Sequence, residues 1–186
     1  NHYDFEEGVL IFTAPNQVIS AEGNHTATEG WMLFFHPDLI RGSRLGDDIG
    51  KYNFFSYDVH EALHLSQKEQ VYMNDMVARI REEYQQNIDG HTQDLLVSHL
   101  ELLLNYSRRF YERQFHTRKK QNVDVLTKVE QLLQGYYQQE MQFQHGVPSI
   151  QYLAEGVHLS SNYLSDLLKK ETGRNAKEHI STYVVE

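Results

Sequence analysis

An α+β chain is what the sequence predicts, with strands gathered at the front and helices behind them. Three observations predict it. Residues 1–64 carry short, aromatic-rich apolar runs cut by turn residues. From residue 66 the apolar spacing changes to the three-and-four pattern of amphipathic helices. Near the end, SSNYLSDLLKKETG (residues 160–173) reads as a helix with short polar side chains along one side.

Composition bounds what such a chain can do. It has 186 residues, no cysteine and a formal net charge of -9. Without cysteine there is no disulfide scaffold, no thiolate catalysis and no Cys-ligated zinc, which fits a reducing cytoplasm. No apolar run approaches the roughly 20 residues a membrane helix needs, and no signal segment opens the chain. The acidity is uneven: up to Tyr106 there are 6 Lys/Arg against 17 Asp/Glu, and from Ser107 onward 11 against 9. That asymmetry predicts two modules with different partners.

Taken in order, GVLIFTAPNQVIS (8–20) is a compact apolar run that reaches a turn signal at Pro15-Asn16. EGWMLFFHPDLI (29–40) repeats the form up to Pro37-Asp38, and NFFSY (53–57) is a third short run. Such punctuation predicts a sheet sandwich or barrel, here its later strands. SQKE (66–69) is a capping box, with Ser66 at the N-cap and Glu69 three residues on. Met73, Met76, Val77, Ile80 and Tyr84 follow as a helical stripe.

A second helix starts at Thr92. Leu96, Leu100, Leu103 and Phe110 mark one face of it, while Leu95, Leu102 and Tyr106 lie around another. A helix apolar on more than one side must be buried on more than one side, in its own core or against a second copy. Arg108, Arg109, Arg113, Arg118, Lys119 and Lys120 then face Glu112 alone. They suit a solvated helix end, where cations complement the macrodipole, or a nucleic-acid contact. HTRKKQN (116–122) reads as a short polar linker.

The last third is helical. Val125, Val129, Leu132, Leu133 and Tyr136 form one stripe, and Ser149 caps a short helix with Ile150, Leu153 and Ala154 inward. Residues 158–160 turn the chain into the next helix, with Ser160 at its N-cap and Gly173 as its stop. Tyr163, Leu164, Leu167 and Leu168 make the inward face; Ser161, Asn162, Ser165, Asp166 and Lys169 point outward. This is the helix-turn-helix arrangement. Small polar side chains let such a helix approach base edges, and Asn pairs bidentately with adenine.

The run PSIQYLAEGVHLSSNYLSDLLKKETGRNAKEHI (148–180) resembles the first helix-turn-helix of the AraC family of transcriptional regulators. The matching marks are Leu153-Ala154, Ser160, Tyr163-Leu164-Ser165, Leu168-Lys169-Lys170, Thr172-Gly173 and the helix start at Ala176. Upstream, GWMLFFHPDLI, YDVHEALHLSQKE and RRFYERQFHTRKKQNVDVL are similar to that family's sensor domain, dimerisation helices and linker. The resemblance implies a partial cupin-like β-barrel over residues 1–64, dimerisation helices over 65–115 and a linker over 116–122. A first helix-turn-helix unit would occupy 123–186, with a second unit beyond it and earlier barrel strands before residue 1.

In function, the resemblance implies a cytoplasmic, non-enzymatic, sequence-specific regulator. It would act as a homodimer on promoter double-stranded DNA, respond to a small-molecule effector or other signal, and meet RNA polymerase. Asn162, Ser165 and Asp166 fall at the family's base-contacting positions, with Ser160, Ser161, Lys169 and Lys170 near the backbone. The dimer face would use Leu95, Leu96, His99, Leu102, Leu103 and Tyr106. Asp166 stands where the family frequently has Arg. An Asp accepts from a cytosine amino group but is repelled by phosphate.

Eleven histidines raise the question of a metal. His60 and His64 stand four apart with Glu61 between them, but they lack the remaining pattern of a zinc-protease helix. His36, before Pro37, reads as a packed or turn-bonded imidazole. Trp31, Phe34 and Phe35 are core residues or the lining of a ligand pocket. No phosphate loop, serine elbow or carboxylate pair stands out, so no metal and no cofactor is expected. The competing reading is a cupin-fold small-molecule-binding or metal-dependent enzyme domain with a helical appendage.

Overall fold

The computed structural model describes residues 8–17 and 29–183. Among them the order is β1 (Gly8–Leu10), α1 (Pro37–Ile40), α2 (Arg44–Asp48), β2 (Leu63–Leu65), α3 (Gln67–Gln85), α4 (Thr92–Thr117) and α5 (Lys119–Gln138). There follow α6 (Gln142–His145), α7 (Ile150–Val157), α8 (Ser161–Thr172) and α9 (Ala176–Thr182). Tight 3₁₀ turns occupy Ile49–Lys51, Asn53–Ser56 and Val59–Glu61.

The expected cupin-like barrel is therefore overturned: among the described residues the fold is mostly α-helical, with one two-stranded sheet. β1 and β2 pair antiparallel, with Val9 opposite His64. Of the three runs expected to be strands, only Gly8–Leu10 is one, and residues 18–20 of the first run lie outside the described residues. Residues 29–36 form neither helix nor strand. PDLI starts a helix instead, because Pro37 suits the first helical turn and His36 Nδ1 accepts the Asp38 N–H at 3.2 Å. NFFS curls so that Tyr52 and Phe54 enter the core, where Phe54 stacks on Tyr111 at 5.5 Å. A short aromatic-rich run fits a strand or a buried turn equally well, and its periodicity cannot decide between them.

A glutamine stands beside this small sheet where a further strand would be. Gln114 of α4 is buried; its Oε1 accepts the His64 N–H at 2.9 Å and its Nε2 donates to the Ala62 carbonyl at 3.1 Å. The capping box at Ser66 forms as the spacing predicts, and its Glu69 has a second task. Arg113 clamps it with Nε–Oε1 at 3.1 Å and Nη2–Oε2 at 2.6 Å, which ties the start of α3 to α4.

Two apolar cores result. The front one gathers Leu45, Phe54, Leu63, Met73, Leu100 and Leu104 among others. The rear one is built from α5, α7, α8 and α9 around Val129, Leu133, Leu153, Leu164, Leu168 and Ile180. Residues 116–122, expected as a linker, lie at the end of α4 and the start of α5, with Arg118 alone between the helices. Buried Asn122 secures that junction: its Nδ2 donates to the Phe115 carbonyl at 2.7 Å and to Glu171 Oε1 at 2.8 Å. A third cluster, Phe115, Tyr163 and Leu167 with Tyr57 against it, sits where front and rear meet.

Candidate nucleic-acid interface

The α7–α8 pair is assembled by local caps. Ser149 Oγ accepts the Tyr152 N–H at 3.1 Å and starts α7. α7 ends on His158 in the left-handed conformation, φ 58°, and the Leu159 N–H reaches back to the Ala154 carbonyl at 2.9 Å. Ser160 Oγ accepts the Tyr163 N–H at 3.2 Å to open α8. Gly173, at φ 72°, closes it with its N–H on the Lys169 carbonyl at 3.0 Å. Asn175 and Glu178 then form the capping box that starts α9. Two helices joined by a tight turn thus follow from Ser149, Ser160 and Gly173, with His158 left-handed at the turn.

The expected inward face of α8 splits in two. Leu164 and Leu168 enter the rear core, whereas Tyr163 and Leu167 pack toward Phe115 and Tyr57 of the front. Tyr57 meets the Tyr163 ring edge-on at 5.1 Å, and Phe115 lies 5.0 Å from it. Of the residues expected to face DNA, Asn162, Lys169 and Lys170 are exposed, while Ser160, Ser161, Ser165 and Asp166 are half-buried. Ser165 Oγ donates to the Ser161 carbonyl at 2.7 Å.

Asp166 is not free to solvent. Asn53 Nδ2 lies 3.0 Å from both its oxygens, and the Tyr57 hydroxyl donates to Oδ2 at 2.6 Å. Burial, and after it the Asp166 carboxylate, pushes the Tyr57 hydroxyl far above its usual range, so it stays a donor. At the helix start, Glu61 is only 2% exposed and takes over Ser160. Glu61 Oε1 accepts the Ser160 N–H at 2.6 Å, and Oε2 accepts the Ser160 hydroxyl at 2.5 Å and the Asp58 N–H at 2.7 Å. His60 Nε2 lies 3.1 Å from the His158 carbonyl and binds the turn itself.

Two cations of the basic run 108–120 have partners within the chain. Arg113 is held by Glu69, and Arg108 donates to Asn105 Oδ1 at 3.1 Å and lies 5.6 Å over the Tyr52 ring. Arg109, Lys119 and Lys120 remain exposed, as do Arg174 and Lys177 beyond α8. On α4, Leu95 and Leu102 are 44% and 47% exposed. Leu96, His99 and Tyr106 are half-buried, and Tyr106 stacks on Tyr72 at 6.1 Å. Leu103, the remaining residue of the expected dimer face, is buried in the front core.

For a metal, Asp58, His60 and Glu61 each offer a ligand atom within 4.8 Å of the others. Both Glu61 oxygens, however, already accept protein donors, and His60 Nε2 faces the His158 carbonyl. Among the described residues the aromatic run diverges: Trp31 Nε1 donates to Asn74 Oδ1 at 2.8 Å, Phe34 is exposed and Phe35 packs on the front core. A cavity of about 330 Å³ lies in the rear part, lined by Glu130, Thr172, Arg174, His179, Thr182 and Tyr183. Buried His179 has an Nε2 without a hydrogen-bond partner among the described residues. Among the described residues no helix is long and apolar enough to cross a membrane.

Asn53, Tyr57, His60 and Glu61 are site residues that the sequence reading did not single out as such. One signal for Glu61 was present: α8 has Tyr163, not Glu or Gln, three residues after its N-cap, so the Ser160 N–H needs an acceptor from elsewhere. Compared with protein-family models, curated proteins and solved structures, the chain matches none.

Proposed function

We propose that this protein is a non-enzymatic, sequence-specific DNA-binding transcriptional regulator of the AraC type, with α8 as the reading helix. One observation carries the reading: α7 and α8 are capped at both ends into a helix-turn-helix, and Asn162, Lys169 and Lys170 stand exposed on the second helix. Asn162 would pair with an adenine edge, Ser165 and Asp166 with neighbouring bases, and Ser160, Ser161, Lys169 and Lys170 with phosphates. A homodimer through the Leu95–Leu102 face of α4 would double the contacts, and a small-molecule or other signal would govern them. The alternative, a cupin-fold small-molecule-binding or metal-dependent enzyme domain, loses its barrel among the described residues, as does the sensor domain that the AraC resemblance implied.

One reading helix with so few cations binds weakly. Each neutralised phosphate contributes a salt slope of about 0.9, so affinity should fall steeply between low and physiological salt. The test is selection of duplexes from a random-sequence pool at low salt, followed by gel shift at two salt concentrations. A consensus with a steep salt dependence supports the reading. Recovery of no preferred sequence contradicts it.

A further inference from the structure

We propose that residues 53–61 are an autoinhibitory latch, which holds α8 by offering it protein copies of two groups that DNA would offer. The inference rests on α8 being the reading helix, and it names how that helix is kept closed.

The first copy is at the helix start. A helix N-terminus binds phosphate through its free backbone N–H groups, and a hydroxyl there adds a further donor. The Ser160 N–H and hydroxyl both point at Glu61, at 2.6 and 2.5 Å. An anionic carboxylate thus takes the place of a phosphate oxygen pair. The second copy is six residues along, at Asp166. An Asp in the major groove accepts from the amino group of cytosine. The side-chain amide of Asn53 presents that same NH₂ chemistry, 3.0 Å from both Asp166 oxygens. The Tyr57 hydroxyl adds a donor at 2.6 Å, and its ring bridges Tyr111 and Tyr163 edge-on at 5.2 and 5.1 Å.

Latch and duplex exclude one another. A helix with its side chains is about 10–12 Å across, and the major groove is about 12 Å wide. Nothing else fits in the groove along the Asp166 flank or over the N-terminus. Both ends of the latch are anchored in the front part, by buried Phe54 on one side and buried Ala62 and Leu63 on the other. A change in the front part therefore has a mechanical route to the reading helix. The apparent DNA affinity is the intrinsic affinity reduced by the fraction of molecules with the latch open.

The test uses the full chain and short random-sequence duplexes at low salt. Asn53→Ala combined with Tyr57→Phe alters no charge and leaves Glu61, Ser160 and every proposed DNA contact in place. Tyr57→Phe alone keeps the ring packing and guards against misfolding of the double variant. Glu61→Gln probes the other copy. The double variant should bind about tenfold more tightly than the parent, the effect of roughly one charge-assisted hydrogen bond on the closed state, with Tyr57→Phe intermediate. Amide hydrogen exchange at the start of α8 should rise in parallel. If the parent binds duplex and the variants bind no more tightly, the latch is overturned while the DNA reading stands. If no form binds any duplex although exchange rises, the DNA reading itself fails and the latch falls with it.

Discussion

Helices α4 and α8 share a property and resolve it differently: each carries more apolar surface than one core can cover. On α8 the surplus, Tyr163 and Leu167, is covered within the chain by Phe115 and Tyr57. On α4 the surplus, Leu95 and Leu102, stays about half exposed, at 44% and 47%. The polar edges follow suit. α8 has Asp166 and its N-cap engaged by Asn53, Tyr57 and Glu61, whereas among the described residues His99 on α4 has no such clasp. A covered surplus face has its partner within the chain. An open one is the face that the proposed homodimer would use.

The strongest way to break the comparison is Leu167→Ala. Removing a fully buried leucine costs about 2–5 kcal/mol, and here the cavity opens between front and rear. Denaturant unfolding followed by two probes, one in each part, should show both transitions move to lower denaturant. A loss confined to the rear would mean that the covered face contributes little.

Next in size is the open face. Leu95→Glu with Leu102→Glu should abolish any dimer, since each mirrored leucine contributes roughly 2 kcal/mol to association. The monomer's own stability should change by no more than about 0.5 kcal/mol, as for surface substitutions generally. Light scattering and thermal unfolding of the same samples separate the two effects. A variant that remains dimeric puts the interface elsewhere.

The smallest effect is one of pH in the rear core. Burial, opposed by Glu130 and reinforced by Arg174, holds the His179 imidazole below its ordinary value. The unfolded chain then takes up a proton first, at about pH 6.5. The rear part is therefore most stable above that pH and loses stability as the pH falls toward the lower folded value. His179→Leu should flatten this slope in thermal melts between neutral and mildly acidic pH. An unchanged slope would assign the pH dependence to other groups.

What the sequence made legible was whatever is decided within a few residues. Ser66, Ser149, Ser160 and Gly173 end or begin helices where their chemistry says they should. That the described residues form no barrel was illegible because NFFS and WMLFF are short apolar runs whose fate depends on what lies opposite, and opposite NFFS lies an aromatic helix face, not a strand. The clasp on α8 was illegible for a related reason. Its bonds join residues 98 to 113 positions apart, and local periodicity carries no information over that span. Leu103 shows the same limit at short range, since helical spacing marks an apolar face without saying which partner covers it.

Whether α8 reads bases is decided by two substitutions on that helix. Asn162→Ala and Lys169→Ala are each measured on a selected duplex and on a scrambled duplex of equal length, at two salt concentrations. Asn162→Ala should weaken the selected duplex by about 1–3 kcal/mol and barely affect the scrambled one. Lys169→Ala should weaken both alike and reduce the salt slope by about 0.9. If Asn162→Ala leaves the selected duplex unaffected, or weakens both duplexes equally, α8 is not the reading helix.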